Sequence, residues 1–555
     1  MIGVEAANIA AGLTAMARDR PDALAVLAPA GRDRSGRAKH VHRTFRQLDA
    51  DSDLIASGLA RIGVGPGVRT VLMVGPGLDF FALTFALFKA GAVPVLVDPG
   101  LGVKNLGRCL AEAEPGAFIG IPRAQAARKA LGWGRATIRA TVTVGPRWPF
   151  GGPSLDDIRA VGRGAPPVFE PSGPDETAAI LFTSGSTGVP KGVVYTHAIF
   201  RAQVAILRDL YDIRPGEVDL GTFPLFALFA PILGMTSVVP EMDFTRPGRV
   251  DPTRIVEAVD DFGASNLFGS PALIRRVGEH GAAGGVTLPG LRRVISAGAP
   301  VPARVLETFA KLLGPGAQVF TPYGATESLP VCSIGSDEIL GETRHATDRG
   351  AGVCVGRPVG GVRVEIIAIR DEAIPSWSDD LPVPDGEIGE IAVQGPVVAR
   401  SYFHRPEATA LAKIDDPATG GFFHRMGDVG YRDDRGRVWF CGRKSHRVRT
   451  ANGTLFTIPC EGVFNVHPLV NRTALVGVGE PGSARPVLCV ERAHVKLRLA
   501  RGFDLSRELL ALGEANPITR DIRTILFHPS FPVDIRHNAK IFREKLAAWA
   551  SRKLG

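Results

Sequence analysis

The sequence predicts an α/β fold, in which a mostly parallel sheet with helices on its faces occupies residues 1 to about 440 and a small α+β domain follows. Over the first part, short apolar runs alternate with amphipathic stretches. The runs 69–75 and 93–97 are typical of buried strands, and 80–90 between them is typical of a buried helix. This strand–helix–strand rhythm is the pattern of parallel sheets covered by helices.

The end of the chain differs in composition from the rest. After Gly442 the sequence becomes short and basic over 443–449, which is typical of a hinge between domains. We therefore predict a large domain over 1–443 and a small C-terminal domain over 444–555.

Bulk composition restricts the class of protein. Of 555 residues, 45% are hydrophobic and 22% are charged, which is the profile of a folded globular protein. The net charge is +9 and the isoelectric point is near 9.4, but lysine and arginine are spread along the chain without interleaved aromatic residues. This distribution argues against specific nucleic-acid binding and suits an anionic small-molecule substrate.

We expect a cytoplasmic protein without a transmembrane segment. The first residues have neither the basic nor the apolar region of a signal peptide. Residues 220–240 are uncharged, but glycines and prolines interrupt them, so we predict a buried turn and helix beside an apolar pocket rather than a membrane span. The six cysteines are scattered without a Cys-x-x-Cys pair, which predicts buried, reduced thiols and no zinc site.

A loop of glycines and hydroxyl residues follows the apolar run 178–182, and Lys191 lies just behind it. Glycine allows backbone N–H groups to approach phosphate oxygens closely, and the hydroxyls add donors. Pro190 precedes the lysine, so this is not a Walker A loop. The alternative is an ordinary turn, but the length of the string favours a phosphate loop. Its residues are Thr183, Ser184, Gly185, Ser186, Thr187 and Gly188.

Further motifs follow apolar runs later in the chain. Residues 296–300 and 321–327 come at the predicted carboxyl ends of strands, where open α/β sheets bind ligands. Residues 423–430 and 440–443 contain a Gly-Asp and a Gly-Arg pair, and 536–543 contains a lysine within a basic stretch. Each alone would be a turn or a solvated side chain.

Together these motifs are similar, in order and over the whole chain, to those of the adenylate-forming superfamily of acyl-CoA synthetases, peptide-synthetase adenylation domains and luciferases. The resemblance implies a large domain of packed α/β sheets with a distorted β-barrel subdomain, and a small mobile C-terminal domain. It also implies ATP and Mg²⁺ as cofactors.

The resemblance assigns roles to individual residues. Lys191 and the loop would hold the β- and γ-phosphates, and Thr326 would contact the α-phosphate. Glu327 would hold Mg²⁺, which prefers carboxylate and phosphate oxygens. Lys540 would contact both the carboxylate and the α-phosphate. The remaining nucleotide-binding residues would be Gly298, Ala299, Pro300, Tyr323 and Gly324 around adenine, with Asp428 and Arg443 at the ribose.

The chain departs from the common pattern of the superfamily at several positions. Ala227 stands where most relatives have a histidine after Pro-Leu-Phe, and together with Phe223, Phe226 and Phe229 it predicts a roomy apolar acyl pocket. The hinge position is Ser445, and the usual Asn-Gly-Lys of the last motif reads Asn-Ala-Lys with Ala539. The segment up to Glu461 also lacks the usual glycine-rich run. These departures weigh against transfer of the acyl group to coenzyme A or a carrier protein.

The whole chain most resembles the β-lactone synthetases of bacterial long-chain olefin biosynthesis. That resemblance implies a 2-alkyl-3-hydroxy long-chain acid, whose own 3-hydroxyl attacks the activated carbonyl and expels AMP. It also implies a complex with other olefin-pathway enzymes, namely a thiolase, a reductase and a decarboxylase. His424 and His197 are candidates for the base by residue type alone, and a core or surface role is favoured for both.

Other hypotheses remain open on the sequence. The nearest is a long-chain acyl-CoA synthetase or a fatty acyl-AMP ligase. A non-catalytic protein that kept the fold is disfavoured because Lys191, Glu327, Asp428 and Lys540 are all present. For a membrane-associated assembly component, no segment indicates an interface.

Overall fold

The computed structural model describes residues 7–147, 149, 151–183, 190–493, 504–533 and 540–555. Five predicted residues of the phosphate loop lie outside this range, as does Ala539. The five are Ser184, Gly185, Ser186, Thr187 and Gly188.

Strands recur along the whole described chain. In the first half they are β1 (Leu24–Arg32), β2 (Ala38–Thr44), β3 (Arg69–Met73), β4 (Val93–Leu96), β5 (Ala117–Gly120), β6 (Ala140–Thr143), β7 (Thr177–Phe182), β8 (Gly192–Thr196), β9 (Val218–Gly221), β10 (Thr236–Val238) and β11 (Asn266–Phe268). In the second half they are β12 (Arg293–Ile295), β13 (Gln318–Phe320), β14 (Tyr323–Ala325), β15 (Ser328–Ser333), β16 (Val353–Pro358), β17 (Arg363–Ile367), β18 (Gly389–Gln394), β19 (Lys413–Asp416), β20 (Gly421–Arg432), β21 (Val438–Arg443), β22 (Val448–Thr450), β23 (Gly453–Leu455), β24 (Val470–Val478), β25 (Arg485–Arg492) and β26 (Thr524–Phe527).

Helices connect these strands. They are α1 (Ala11–Asp19), α2 (Phe45–Arg61), α3 (Leu78–Lys89), α4 (Val103–Ala113), α5 (Pro122–Leu131), α6 (Leu155–Arg163), α7 (His197–Leu210), α8 (Pro224–Ala227), α9 (Phe229–Ile232), α10 (Pro252–Phe262), α11 (Pro271–Gly284), α12 (Ala303–Ala310), α13 (Ser336–Glu338), α14 (Arg344–Asp348), α15 (Pro406–Ala412), α16 (Thr457–Asn465), α17 (Leu505–Glu514) and α18 (Arg543–Leu554). Single 3₁₀ turns occur at Pro99–Leu101, Pro247–Arg249 and Lys444–His446, and Ile339–Thr343 is a π-helical turn.

Two largely parallel sheets form the first part of the fold. One has the strand order β13-β12-β11-β9-β10-β1-β2, and only the edge strand β2 is antiparallel to its neighbour within it. The other has the order β6-β5-β3-β4-β7-β8, with β8 antiparallel to β7. Both sheets place the carboxyl ends of several parallel strands at one edge, which is where such sheets bind ligands.

Helix α3 packs between these two sheets. It contacts β1 and β2 of one sheet and β4 of the other, and apolar residues surround most of its axis, as expected for a helix buried on all sides. Its one buried cation, Lys89, donates hydrogen bonds to Asp49 and Asp53 on α2, at 2.7 and 2.5 Å. The sequence-based prediction of a buried helix followed by a strand over this region is confirmed.

The chain then forms an antiparallel sheet where the barrel subdomain is expected. Its strand order is β14-β15-β16-β21-β20-β18-β17, and β19 pairs with β20. After β21 ends at Arg443, the turn Lys444–His446 leads to two smaller sheets, β22-β23 and β24-β25-β26. Helices α16 to α18 pack with these last strands around a core of their own. The predicted α/β class, with mixed sheets and helices, is confirmed.

Residues 220–240 form the end of β9, the short helices α8 and α9, and β10. The predicted turn and helix are therefore present. Within the described residues, no helix combines the length and the apolar character that crossing a membrane requires. All six cysteines are buried and unbridged.

Candidate active site

A cavity of about 2090 Å³ lies at the carboxyl ends of the strands of both parallel sheets and extends to the antiparallel sheet and the C-terminal domain. Most of the predicted site residues line it. They are Thr183, Lys191, Phe223, Phe226, Phe229, Gly298, Ala299, Pro300, Tyr323, Gly324, Thr326, Glu327, Asp428, Arg443 and Lys540.

Ala227 is the exception, and the prediction for it needs correction. It is 2% exposed and is not among the residues that line the cavity. Its side chain packs on Gly221 so closely that a Cβ atom added to this glycine would lie 2.6 Å from the Ala227 Cβ. Gly221 therefore has no room for a side chain beside Ala227, and Ala227 packs between α8 and β9 rather than on the cavity surface.

Asp428 and Arg443 face each other because β20 and β21 pair in that register. Arg443 Nη1 lies 3.1 Å from Asp428 Oδ1, and the Tyr323 hydroxyl donates to Oδ2 at 2.7 Å. Burial raises the pKa of Asp428, whereas the charge of Arg443 opposes that rise. Among the described residues no donor is aligned for a hydrogen bond to the buried Oδ1, so this oxygen can accept from a hydroxyl of a bound molecule.

Two glycines shape the wall beside Tyr323. Gly298 follows β12 with φ +99°, a conformation that favours glycine. A Cβ atom on Gly324 would lie 2.7 Å from the Ser328 carbonyl oxygen, so a side chain there would collide with the backbone. Gly324 therefore has no room for a side chain against β15.

Glu327 and Lys191 are linked through Tyr402. The Tyr402 hydroxyl donates to Glu327 Oε1 at 2.7 Å, and its ring centre lies 4.7 Å from Lys191 Nζ. Burial and the neighbouring Glu327 charge raise the pKa of Tyr402, so the phenol keeps its proton and acts as a donor. The backbone N–H of Lys191 donates to Thr183 Oγ1 at 3.3 Å, which ties the two ends of the phosphate loop together.

Lys540 reaches the cavity from the start of the last helix. Its charge is close enough to lower the pKa of Asp428 against the effect of burial. Three residues later, buried Arg543 pairs with Glu461 on α16, with Arg543 Nη2 at 2.9 Å from Oε2. Arg304 on α12 donates to the Asn471 carbonyl oxygen at 2.7 Å and so connects β24 to the cavity rim.

Sequence comparison adds a second line of observation. The AMP-binding enzyme family matches residues 13–403. This chain belongs to that family. The prediction of an adenylate-forming enzyme is thereby confirmed.

Two relatives of this AMP-binding enzyme match nearly its whole length. An olefin β-lactone synthetase of Xanthomonas campestris pv. campestris is 52% identical and covers 98% of this chain and 98% of that protein. An olefin β-lactone synthetase of Stenotrophomonas maltophilia is also 52% identical, over 99% of this chain and 98% of that protein. Their names agree with the family resemblance predicted from the sequence.

Solved structures share the fold. The amide bond synthetase McbA of Marinactinospora thermotolerans superposes with a TM-score of 0.77 at 23% identity, over 97% of this chain and 99% of that one. ATP-bound MatB of Rhodopseudomonas palustris gives a TM-score of 0.78 at 22% identity, over 99% and 100% of the two chains.

The two histidines named as candidates for the base lie in different surroundings in this AMP-binding enzyme. His197 Nδ1 accepts a hydrogen bond from the Ile9 backbone N–H at 3.1 Å in the core, and burial lowers its pKa to about 4. His424 lines the cavity, but its Nδ1 lies 3.1 Å from Lys413 Nζ and 3.2 Å from the Ala412 carbonyl oxygen. Burial lowers its pKa well below the usual value. Both histidines therefore have structural partners, as the sequence analysis favoured.

Sequence reasoning missed three polar side chains that the fold brings to this region. Tyr402 has no motif that identifies it. Lys413 donates to the Ala399 carbonyl oxygen, and burial lowers its pKa to about 7. Asp219 accepts from Asn266 Nδ2 in the cavity wall, and burial raises its pKa to about 7. The charged residue within the otherwise apolar strand β9 is the one signal that could have indicated Asp219.

The acyl side of the cavity is strongly aromatic. Phe223 and Phe226 have ring centres 5.3 Å apart, and Phe226 stacks on Phe268 at 4.5 Å. The ring centre of Phe229 lies 6.3 Å from that of Phe200 on α7. The same cavity includes Thr326 and Glu327, so the aromatic wall and these polar residues share one space.

Proposed function

We propose that this AMP-binding enzyme activates a 2-alkyl-3-hydroxy long-chain carboxylic acid with ATP and Mg²⁺ and closes it to a β-lactone, releasing AMP and pyrophosphate. The observation that carries the proposal is the single cavity in which a nucleotide-binding set, Lys191, Asp428 and Lys540, adjoins an aromatic acyl wall. The names of two relatives at 52% identity support the same reading.

The residues present fit ATP as a substrate. Asp428 Oδ1 offers an acceptor to a ribose hydroxyl, and Gly298, Tyr323 and Gly324 line the cavity where the base would lie. Lys191 supplies positive charge at the end of the phosphate loop, and the loop itself would hold the β- and γ-phosphates. Thr326 would contact the α-phosphate.

Glu327 would hold Mg²⁺. Tyr402 occupies its Oε1, and no described residue donates a hydrogen bond to Oε2, so one oxygen remains for a cation. Among the described residues no three His, Cys, Asp or Glu side chains converge, which suits an ion whose other ligands are phosphate oxygens and water. When bound, Mg²⁺ would offset the negative charge of the phosphates.

In the first half-reaction an oxygen of the substrate carboxylate forms a bond to the α-phosphorus of ATP, and the bond to pyrophosphate breaks. Two anions must meet for this step. Lys540 offsets their charge from the side of the C-terminal domain, and Lys191 does so from the phosphate loop. Catalysis in this half-reaction rests on positioning and electrostatics.

In the second half-reaction the oxygen of the 3-hydroxyl forms a bond to the acyl carbon, and the bond from that carbon to AMP breaks. The hydroxyl proton is released, and a four-membered lactone results. Since the nucleophile belongs to the same molecule, aligned groups of this kind can reach effective molarities of about 10⁵–10⁸ M. No second substrate has to enter the cavity.

We further propose a cytoplasmic enzyme that works together with other enzymes of olefin biosynthesis. The support is chemical. A substrate with long alkyl chains has low solubility in water, which favours direct transfer between enzymes.

The test is a product analysis of the purified enzyme with ATP, Mg²⁺ and a synthetic 2-alkyl-3-hydroxy acid, with and without coenzyme A. We expect the β-lactone, identified by mass spectrometry and proton NMR, in equal yield in both reactions. Thioester formation that depends on coenzyme A would contradict the proposal and indicate an acyl-CoA synthetase, and an adenylate that accumulates would indicate an acyl-AMP ligase. Lys191→Ala is the matched inactive control.

A further inference from the structure

One polar side chain interrupts the apolar face of α7 that lines the cavity. Phe200, Gln203 and Leu207 are spaced by three and four residues, so they share this face of the helix. Gln203 is 2% exposed. An uncharged amide in such a stripe needs hydrogen-bond partners, because burial without them costs free energy.

Half of this amide is satisfied by the protein. Gln203 Nε2 donates to the Leu329 carbonyl oxygen at 2.9 Å. A carbonyl oxygen can only accept, so the NH₂ end must face it, and this fixes the orientation of the amide. Oε1 is then the other end. It is buried and has no hydrogen-bond partner among the described residues.

The amide lies beside the reacting end of the cavity. Gln203 neighbours the Tyr195 hydroxyl, which donates to the Thr326 carbonyl oxygen at 2.6 Å. Thr326 belongs to the set proposed to contact the α-phosphate, so the acyl carbon of the substrate would be formed near this point. Gln203 is therefore close to the place proposed for the first carbons of the acid, in a wall that is otherwise largely aromatic and aliphatic.

We propose that Gln203 Oε1 accepts a hydrogen bond from the 3-hydroxyl of the acid and that Gln203 thereby selects hydroxy acids and positions the hydroxyl. This rests on the proposed function for the class of substrate. An acceptor with no proton of its own recognises a donor, and the 3-hydroxyl is the donor that the acid carries near its carboxylate. A neutral amide cannot take up the proton, so Gln203 is a positioning residue and not the base.

The selectivity follows from the unpaired acceptor. An acid without the 3-hydroxyl would leave Oε1 buried and unpaired, at a cost of about 1–3 kcal/mol, which corresponds to roughly 5- to 150-fold in binding. A site that is built to hydrogen-bond a hydroxyl rejects an analogue that lacks it.

The experiment measures pyrophosphate release, which reports adenylation alone. The full-length enzyme is assayed with a 2-alkyl-3-hydroxy acid and with the matched acid that lacks the hydroxyl, and kcat and KM are determined for each. We expect kcat/KM to favour the hydroxy acid by roughly 5- to 150-fold in the wild type. In Gln203→Met this ratio should fall toward one, mainly through a higher KM for the hydroxy acid.

Leu207→Met is the matched control on the same face of α7. It should change the values for both acids by the same factor and leave their ratio at the wild-type value. Equal kcat/KM values for the two acids in the wild type would overturn the proposal without any variant. An unchanged ratio in a folded Gln203→Met variant, with its fold checked by circular dichroism, would overturn it as well. Since the readout is adenylation, a failure to form lactone would refute the proposed function without touching this result.

Discussion

The hydroxyl of Tyr402 donates a 2.7 Å hydrogen bond to Glu327. The same side chain presents its ring to Lys191 at 4.7 Å, so one residue holds both the expected metal carboxylate and the lysine of the phosphate loop. Tyr402 is itself held by the backbone, because the Val193–Tyr402 bridge joins its segment to β8. This arrangement fixes the relative positions of two groups that must act on the same phosphates.

The Tyr402–Glu327 contact predicts a defect in the use of Mg²⁺. Tyr402→Phe removes the hydrogen bond but keeps the ring under Lys191. Since a hydrogen bond to a charged group contributes about 1.5–3 kcal/mol, we expect the Mg²⁺ concentration for half-maximal pyrophosphate release to rise about ten-fold or more. Tyr402→Leu should in addition raise the KM for ATP, because the cation–π contact is lost. Superimposable Mg²⁺ titrations of wild type and Tyr402→Phe would contradict this role.

Asp428 should control the affinity for ATP. In Asp428→Asn one carboxylate oxygen is replaced by an amide NH₂ group, which would face Arg443 or the Tyr323 hydroxyl. The ribose also loses a charged hydrogen-bond partner. We expect the KM for ATP to rise by about 10- to 100-fold, in line with the loss of a charge-assisted hydrogen bond in a buried site. Steady-state kinetics with saturating acid measure the effect. Tyr323→Phe serves as the milder comparison, and equal KM values for ATP in Asp428→Asn and wild type would refute the assignment.

Lys540 should separate the two half-reactions. Lys540→Ala removes the charge that faces the attacking carboxylate, so we expect adenylation to fall by at least about 100-fold. A synthetic acyl adenylate of the hydroxy acid already contains the new bond, and its conversion to lactone should be affected much less. Rapid-quench assays of both steps test this. Lys545, an exposed lysine on α18 five residues after Lys540, provides the control, and Lys545→Ala should match the wild type in both assays.

Asp219 predicts a pH dependence of stability. Its ordinary pKa is 3.8, and burial raises it to about 7 in the folded protein, so the folded state keeps this proton between those values while the unfolded state loses it. Stability contributed by the protonated group is thus complete below pH 4, declines as the pH rises, and is lost above pH 7.

The corresponding variant is Asp219→Asn, which cannot ionise. The wild type loses stability from pH 5 to pH 8, and the variant does not lose this contribution. The thermal midpoint of Asp219→Asn minus that of the wild type should therefore be larger at pH 8 than at pH 5, by the equivalent of about 3 kcal/mol, since each pKa unit is worth about 1.4 kcal/mol. Differential scanning calorimetry at pH 5 and pH 8 measures the thermal midpoints of both proteins. The exposed Asp434→Asn is the control. A constant difference between Asp219→Asn and wild type across this range would contradict the prediction.

Local motifs made much of the fold and site predictable from the sequence. A strand that runs into a loop is encoded by neighbouring residues, and this is why Thr183 could be placed at the end of a strand, whereas the roles predicted for Tyr323 and Asp428 came from the family resemblance. The strands and helix from 69 to 97 were predictable for the same reason.

Contacts between distant segments were not predictable in this way. Tyr402 reaches Glu327 across 75 residues, and Gln203 reaches Leu329 across 126. In each of these pairs, the two residues do not belong to the same motif. Ala227 is a further example, because its packing against Gly221 on β9 could not be read from its own motif. Sequence spacing carries no record of such close approaches.

The aromatic wall at Phe223, Phe226 and Phe229 also bears on yield. An acyl adenylate that reacts with water returns the starting acid, and one ATP is spent without product. The three rings offer water no hydrogen bonds along the path that the acyl chain takes. We therefore expect their packing to affect how many lactones form for each ATP consumed, which is the stoichiometry of the reaction rather than its speed.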